Sequence, residues 1–68
     1  MDIELVWIVH EGEQGMGSSV RGVFRRLEDA TAFVAKNYPQ FIRSLDLANF
    51  VEYFDGGDWI RIWGHTIQ

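Results

Sequence analysis

Residues 50–63 read Phe-Val-Glu-Tyr-Phe, then Asp-Gly-Gly-Asp, then Trp-Ile-Arg-Ile-Trp. Two runs rich in β-formers flank a glycine pair, and this constrains the fold more than any other stretch. A two-residue Gly56-Gly57 turn tolerates the positive φ that hairpin turns demand, and it fixes the register. Phe54 then faces Trp59, Tyr53 faces Ile60, Glu52 faces Arg61, Val51 faces Ile62 and Phe50 faces Trp63. Opposite charges at 52 and 61 meet directly, which supports the same pairing independently. One face of the hairpin carries Val51, Tyr53, Ile60 and Ile62, aliphatic and uncharged but for one phenol. The other carries Phe50, Phe54, Trp59 and Trp63 around the Glu52–Arg61 pair. The first is the natural core face. The second either lies under a helix with the ion pair at its rim, or is left for a partner or a second copy.

The preceding chain supplies the rest of the sheet. Ile3 to His10 is an apolar, β-rich run and reads as the first strand. Ile3, Leu5, Trp7 and Val9 share one side; Glu4, Val6, Ile8 and His10 share the other. Glu11 to Ser19 reads as a glycine- and serine-rich loop. It is not a phosphate loop, since no Lys-Ser/Thr follows and the next element is a strand. Val20 to Arg25 reads as a second strand, an edge protected by Arg21 and Arg25. Gly22 within it marks a bulge or a close approach of the helix. Leu27 to Asn37 reads as a helix burying Leu27, Ala30, Phe33 and Val34, with Tyr38 extending the same face. Glu28 and Asp29 in its first turn and Lys36 in its last suit the helix dipole. Asn37 and Pro39 end it, while Arg26 is a poor N-cap. Phe41, Ile42, Leu45 and Ala48 have helical spacing, so residues 38–48 read as one or two turns lapping the end of the sheet, with an irregular connector as the alternative. The expectation is a single α+β domain over residues 1–68. Its order is ββαββ: a four-stranded antiparallel sheet with one helix on one face, and the first and last strands at the centre.

Composition narrows the function classes. Sixty-eight residues with 47% hydrophobic and 15% aromatic content make a folded chain with a small core. A net charge of −4 disfavours direct binding to DNA or RNA. With no Cys there is neither disulfide nor thiolate metal site. The first residues carry no basic leader, and their apolar run is too short for a signal peptide or a membrane span, which reads as a soluble cytoplasmic protein. No nucleophile elbow or HExxH motif is present, and no cofactor is implied. His10 and His65 at strand ends are weak metal candidates. Asp55 and Asp58 are explained by the turn they flank. Ser18 and Ser19 have no base beside them in sequence.

The acidic residues fall at loops and element ends: Glu11 and Glu13, Glu28 and Asp29, Asp46, then Asp55 and Asp58. There they can be exposed together, and such a row can imitate a phosphate backbone; ordinary solvation explains the same positions. An acidic protein can also dock on a basic surface, including one built for nucleic acid. The candidate partner-binding set is therefore Glu11, Glu13, Glu28, Asp29, Asp55 and Asp58 with Phe50, Phe54, Trp59 and Trp63.

Val6-Trp7-Ile8-Val9 with Glu11, then Gly22-Val23-Phe24 leading through Glu28 or Asp29 to Ala30 and Phe33, resembles a pattern found in small, mostly uncharacterised proteins of phages and bacteria. These run from a VWIV-E strand through a Gly/Ser loop into a GVF-x-x-x-E-x-A helix start. The resemblance covers roughly the first half and departs at Arg25-Arg26, where such proteins more often carry a Ser or Asp cap. It is structural and carries no functional residue. In size, charge and lack of a catalytic motif the chain is also similar to phage anti-CRISPR inhibitors. That similarity implies a non-enzymatic inhibitor of a host defence complex, acting through an acidic surface that blocks nucleic-acid binding. The alternative is a self-associating accessory module, such as a homodimer, of a larger assembly.

Overall fold

A computed structural model describes residues 4–13 and 15–67; Ile3 lies outside them. The elements are β1 (Glu4–Glu13), β2 (Ser18–Phe24), α1 (Leu27–Asn37), β3 (Ile42–Leu47), β4 (Phe50–Asp55) and β5 (Asp58–Ile67). They form one antiparallel five-stranded sheet in the order β2-β1-β5-β4-β3. The expected α+β fold with a four-stranded ββαββ sheet is therefore corrected to a mostly β one, five strands and a short helix in the order ββαβββ.

The additional strand is β3, where sequence spacing points to helix. Its register against β4 slips between Arg43 and Leu45, so Ser44 bulges out. Ile42, Leu45 and Leu47 then sit opposite Phe54, Glu52 and Phe50, on one face of the sheet. A bulge inserts one residue into the alternation, so the first two positions of that face are three apart, as on a helix. Two side chains secure the irregular edge. The Ser44 hydroxyl donates to the Glu52 carbonyl at 3.3 Å, and Arg43 donates to the Tyr53 hydroxyl and to Asp46, both at 3.1 Å.

The β4–β5 hairpin has the expected register at every pair from Phe50–Trp63 to Phe54–Trp59. Gly56 lies at φ +62° while Gly57 stays on the negative side, as expected of a II′ turn with glycine first. Helix α1 spans the expected residues. Arg26 makes no side-chain cap, and its guanidinium lies 3.8 Å from Glu28, both well exposed. At the far end the Tyr38 N–H bonds the Val34 carbonyl at 2.8 Å, and Asn37 Nδ2 bonds the Phe33 carbonyl at 2.9 Å.

The loop expected over Glu11–Ser19 is much shorter. β1 continues to Glu13 and β2 starts at Ser18, and a Met16 N–H to Glu13 carbonyl bond of 3.0 Å closes the turn, with Gly15 at φ +79°. β2 is an edge strand, as expected, and bulges opposite Val9/His10. The close approach at Gly22 is by the ring of Phe24 rather than by the helix.

The core is one-sided. Trp7 and Val9 of β1, Val51 and Tyr53 of β4, Ile60 and Ile62 of β5, and Ala30 and Val34 of α1 are buried together. The helix starts beyond one edge strand and the chain must reach the opposite edge to begin β3. Phe24, Phe33, Tyr38 and Phe41 form a line of rings along this path, with successive centroids 5.3, 6.2 and 5.6 Å apart, packed over the core. The helix packs over the β1–β2 side of this core and the ring line joins it in closing that face, while among the described residues no helix lies over the aromatic face.

Candidate functional site

Alternation along each strand sends a second set of side chains to the uncovered face. From β4 these are Phe50, Glu52 and Phe54; from β5, Trp59, Arg61, Trp63 and His65. β1 adds Val6, Ile8 and His10, and the two edges add Val20, Val23, Ile42, Leu45 and Leu47. Burial separates this face from the other. Core positions of β5 are fully buried, whereas Phe54 and Trp63 are 41% and 42% exposed and Ile42 is 73% exposed. Phe50 packs edge-on against Trp63 with centroids 4.6 Å apart, and both remain partly open.

The centre of the face is a layered stack. A Cβ on Gly12 would fall inside the Trp59 ring system, so only glycine lets the indole lie against β1. Over that indole sits Arg61, its guanidinium carbon 4.1 Å from the ring centroid. Glu52 accepts from Arg61 Nε at 2.6 Å. The pair is partly buried, at 35% and 14% side-chain exposure, so its charge-assisted bond is stronger than that of a surface pair. Around it, His10, Ser18, Trp59, Arg61, Trp63 and His65 line a hollow of about 360 Å³. His10 titrates below its ordinary 6.5 because burial disfavours the charged ring and His65 adds repulsion.

The acidic residues do not form one row. Glu11 and Glu13 belong to β1, not to a loop. Glu11 lies on the helix-covered side, where its Oε1 accepts from Arg21 Nε at 2.8 Å and from the Tyr38 hydroxyl at 3.1 Å. Burial and the Glu11 carboxylate raise the Tyr38 pKa above its ordinary value. Glu13, Asp55 and Asp58 do come together: Asp55 pairs with Asp58 across the turn, and Asp58 pairs with Glu13. Glu28 and Asp29 open the helix just after Phe24, which is level with Trp7, so they occupy the opposite end of the sheet. A second hollow of about 310 Å³ lies beside Glu11, Glu13, Met16, Arg21 and Asp58.

Sequence reasoning placed Phe50, Phe54, Trp59 and Trp63 on one face, and the structure gathers all four there. It also adds Ile42, Leu45 and Leu47, whose strand was missed. Arg61 was read as half of an ion pair; its place between Trp59 and the hollow depends on Gly12, a contact between residues 47 positions apart in the chain. Among the described residues no group of three or more His, Cys, Asp or Glu is placed to hold a metal, and no helix is long and apolar enough to cross a membrane. No protein family, curated protein or solved structure matches the chain.

Proposed function

We propose that this chain is a non-catalytic binding protein that docks a protein partner on the open face of its sheet. The observation that carries the reading is the asymmetry of the two faces. One is closed by the helix and the ring line, while the other holds four aromatic side chains and five edge aliphatics with no element over them among the described residues. Aromatic anchors around a fixed arginine are the composition of interface hot spots. Glu13, Asp55 and Asp58 meet at the turn end of the sheet, at positions of the covered face bordering the open one, and give a local negative field there, with no cation paired to any of them among the described residues. Such a field steers toward a basic partner surface.

The concrete form we favour is a cytoplasmic inhibitor of a host defence complex, seated over a basic nucleic-acid-binding surface. The rings would anchor the contact and the carboxylate end would occupy the place of phosphates. The test is competition: the folded protein is titrated into defence nuclease complexes while DNA binding is measured. Loss of DNA binding by one complex, weakened by Asp55→Lys with Asp58→Lys and abolished by Phe54→Ser with Trp63→Ser, is the expected result. Undiminished DNA binding throughout the set discards the inhibitor form.

A second reading is favoured by β3. Every residue of this edge strand is exposed, and three of its side chains extend the open face. An open strand edge flanked by exposed aliphatic side chains can pair with a second copy, which fits a self-associating module.

A further inference from the structure

The hollow on the open face has a chemistry of its own. None of its lining residues is a carboxylate, in a chain of net charge −4. One of them, Arg61, is held from two sides: Trp59 supports its plane and Glu52 engages Nε. Its two terminal amino groups have no acceptor among the described residues. A guanidinium fixed in this way presents two parallel donors at the spacing of two carboxylate oxygens. Trp63, 42% exposed, lines the same hollow with a ring surface.

We propose that this hollow binds a small aromatic carboxylate, its two oxygens on the terminal amino groups of Arg61 and its ring against Trp63. The charge balance selects a monoanion. Glu52 offsets much of the Arg61 charge, so a phosphate dianion finds too little positive charge here to replace its hydration. The polar groups lining the hollow are His10 from β1, Ser18 from β2, and Arg61 and His65 from β5, with Glu52 of β4 outside the lining and bonded to Arg61. His10 lies opposite Arg61 across β1 and β5, so a carboxylate held there favours its protonation, and binding tightens as pH falls. The site does not depend on the docking reading, and a ligand here would compete with any partner seated on Trp59 and Trp63.

The experiment is calorimetric titration of the intact chain with phenylacetate, with phenylacetamide as its uncharged counterpart and with inorganic phosphate. Phenylacetate is expected to bind at one site per chain, about tenfold or more tighter than the amide. Its affinity should be higher at about pH 5 than at about pH 8. Arg61→Lys keeps the charge and loses the paired donors, so it should weaken phenylacetate about tenfold while leaving the amide unchanged. Equal affinity for acid and amide overturns the proposal, as does phosphate binding as tightly as phenylacetate, or no saturation by about 10 mM. Should Arg61→Lys fail to fold, nitrogen-15 NMR of the unaltered protein decides. The Arg61 Nε–H signal must move with phenylacetate and stay still with the amide, and an unmoved signal refutes the site.

Discussion

Trp59 sits between a residue with no side chain and a residue with the longest cationic one. Gly12 lets the indole down onto β1, and Arg61 closes over it. Neither contact is a hydrophobic burial of the ordinary kind, since the stack stands on the open face. Its effect is to hold a charge in one place. His10 stands at the edge of this arrangement and gives it a pH dependence. In the unfolded chain His10 titrates near 6.5, and in the folded chain lower, because burial and His65 oppose its charge. Between those two values the unfolded state binds more protons, so stability rises with pH there. The His10 contribution is complete above about 6.5 and is lost as pH falls toward the native value. Urea midpoints for the wild type and His10→Gln should therefore converge at about pH 5 relative to their separation at about pH 8, with the wild type falling the more steeply. Parallel curves across that range would mean that His10 is as free as in the unfolded chain.

Among the elements, the β4–β5 hairpin was legible because its determinants are local. A II′ turn, a two-residue loop and one charge pair set every cross-strand partner from within a span of fourteen residues, Phe50 to Trp63. The turn has an internal asymmetry that can be measured. Gly56 alone holds the positive φ, so Gly56→Ala should cost about 1 kcal/mol or more, while Gly57→Ser should stay within about 0.5 kcal/mol. Denaturant unfolding reads both, and equal losses would contradict the II′ assignment. α1 was legible for a similar reason, its apolar positions and terminal charges lying on the element itself. β3 was not. The bulge at Ser44 turns a strand face into a three-residue spacing, and what makes the segment a strand is its pairing with β4, which helical periodicity cannot show. The extension of β1 to Glu13 was hidden likewise. Glu11 looks like a loop residue until Arg21 and Tyr38 supply its hydrogen bonds.

At the scale of the whole molecule, the division into a closed and an open face follows from having one helix for five strands. The sequence identified the two faces of the hairpin and which was the core. The hollow, by contrast, required the β1–β5 pairing that brings His10 opposite Arg61 and Gly12 opposite Trp59. The open face also makes a statement about solution behaviour. If the exposed β3 edge and its aliphatic side chains serve self-association, light scattering should give twice the chain mass of 7.9 kDa, and Ile42→Lys with Leu47→Lys should return it to one chain. Both positions are more than half exposed, so these replacements should leave stability within about 0.5 kcal/mol. A single-chain mass for the unaltered protein at high concentration would leave the open face to a different partner and set the self-associating module aside.

The strand order β2-β1-β5-β4-β3 has a consequence for how the chain is made. β5, the middle of the sheet, is the last strand in chain order. During synthesis β1 with β2 and β3 with β4 can each close as a hairpin, yet their one common neighbour in the sheet is β5. An isolated hairpin is marginal in water. The fold therefore becomes cooperative only when β5 leaves the ribosome and joins them, and until then the nascent chain exposes both halves of its future core to chaperones and proteases.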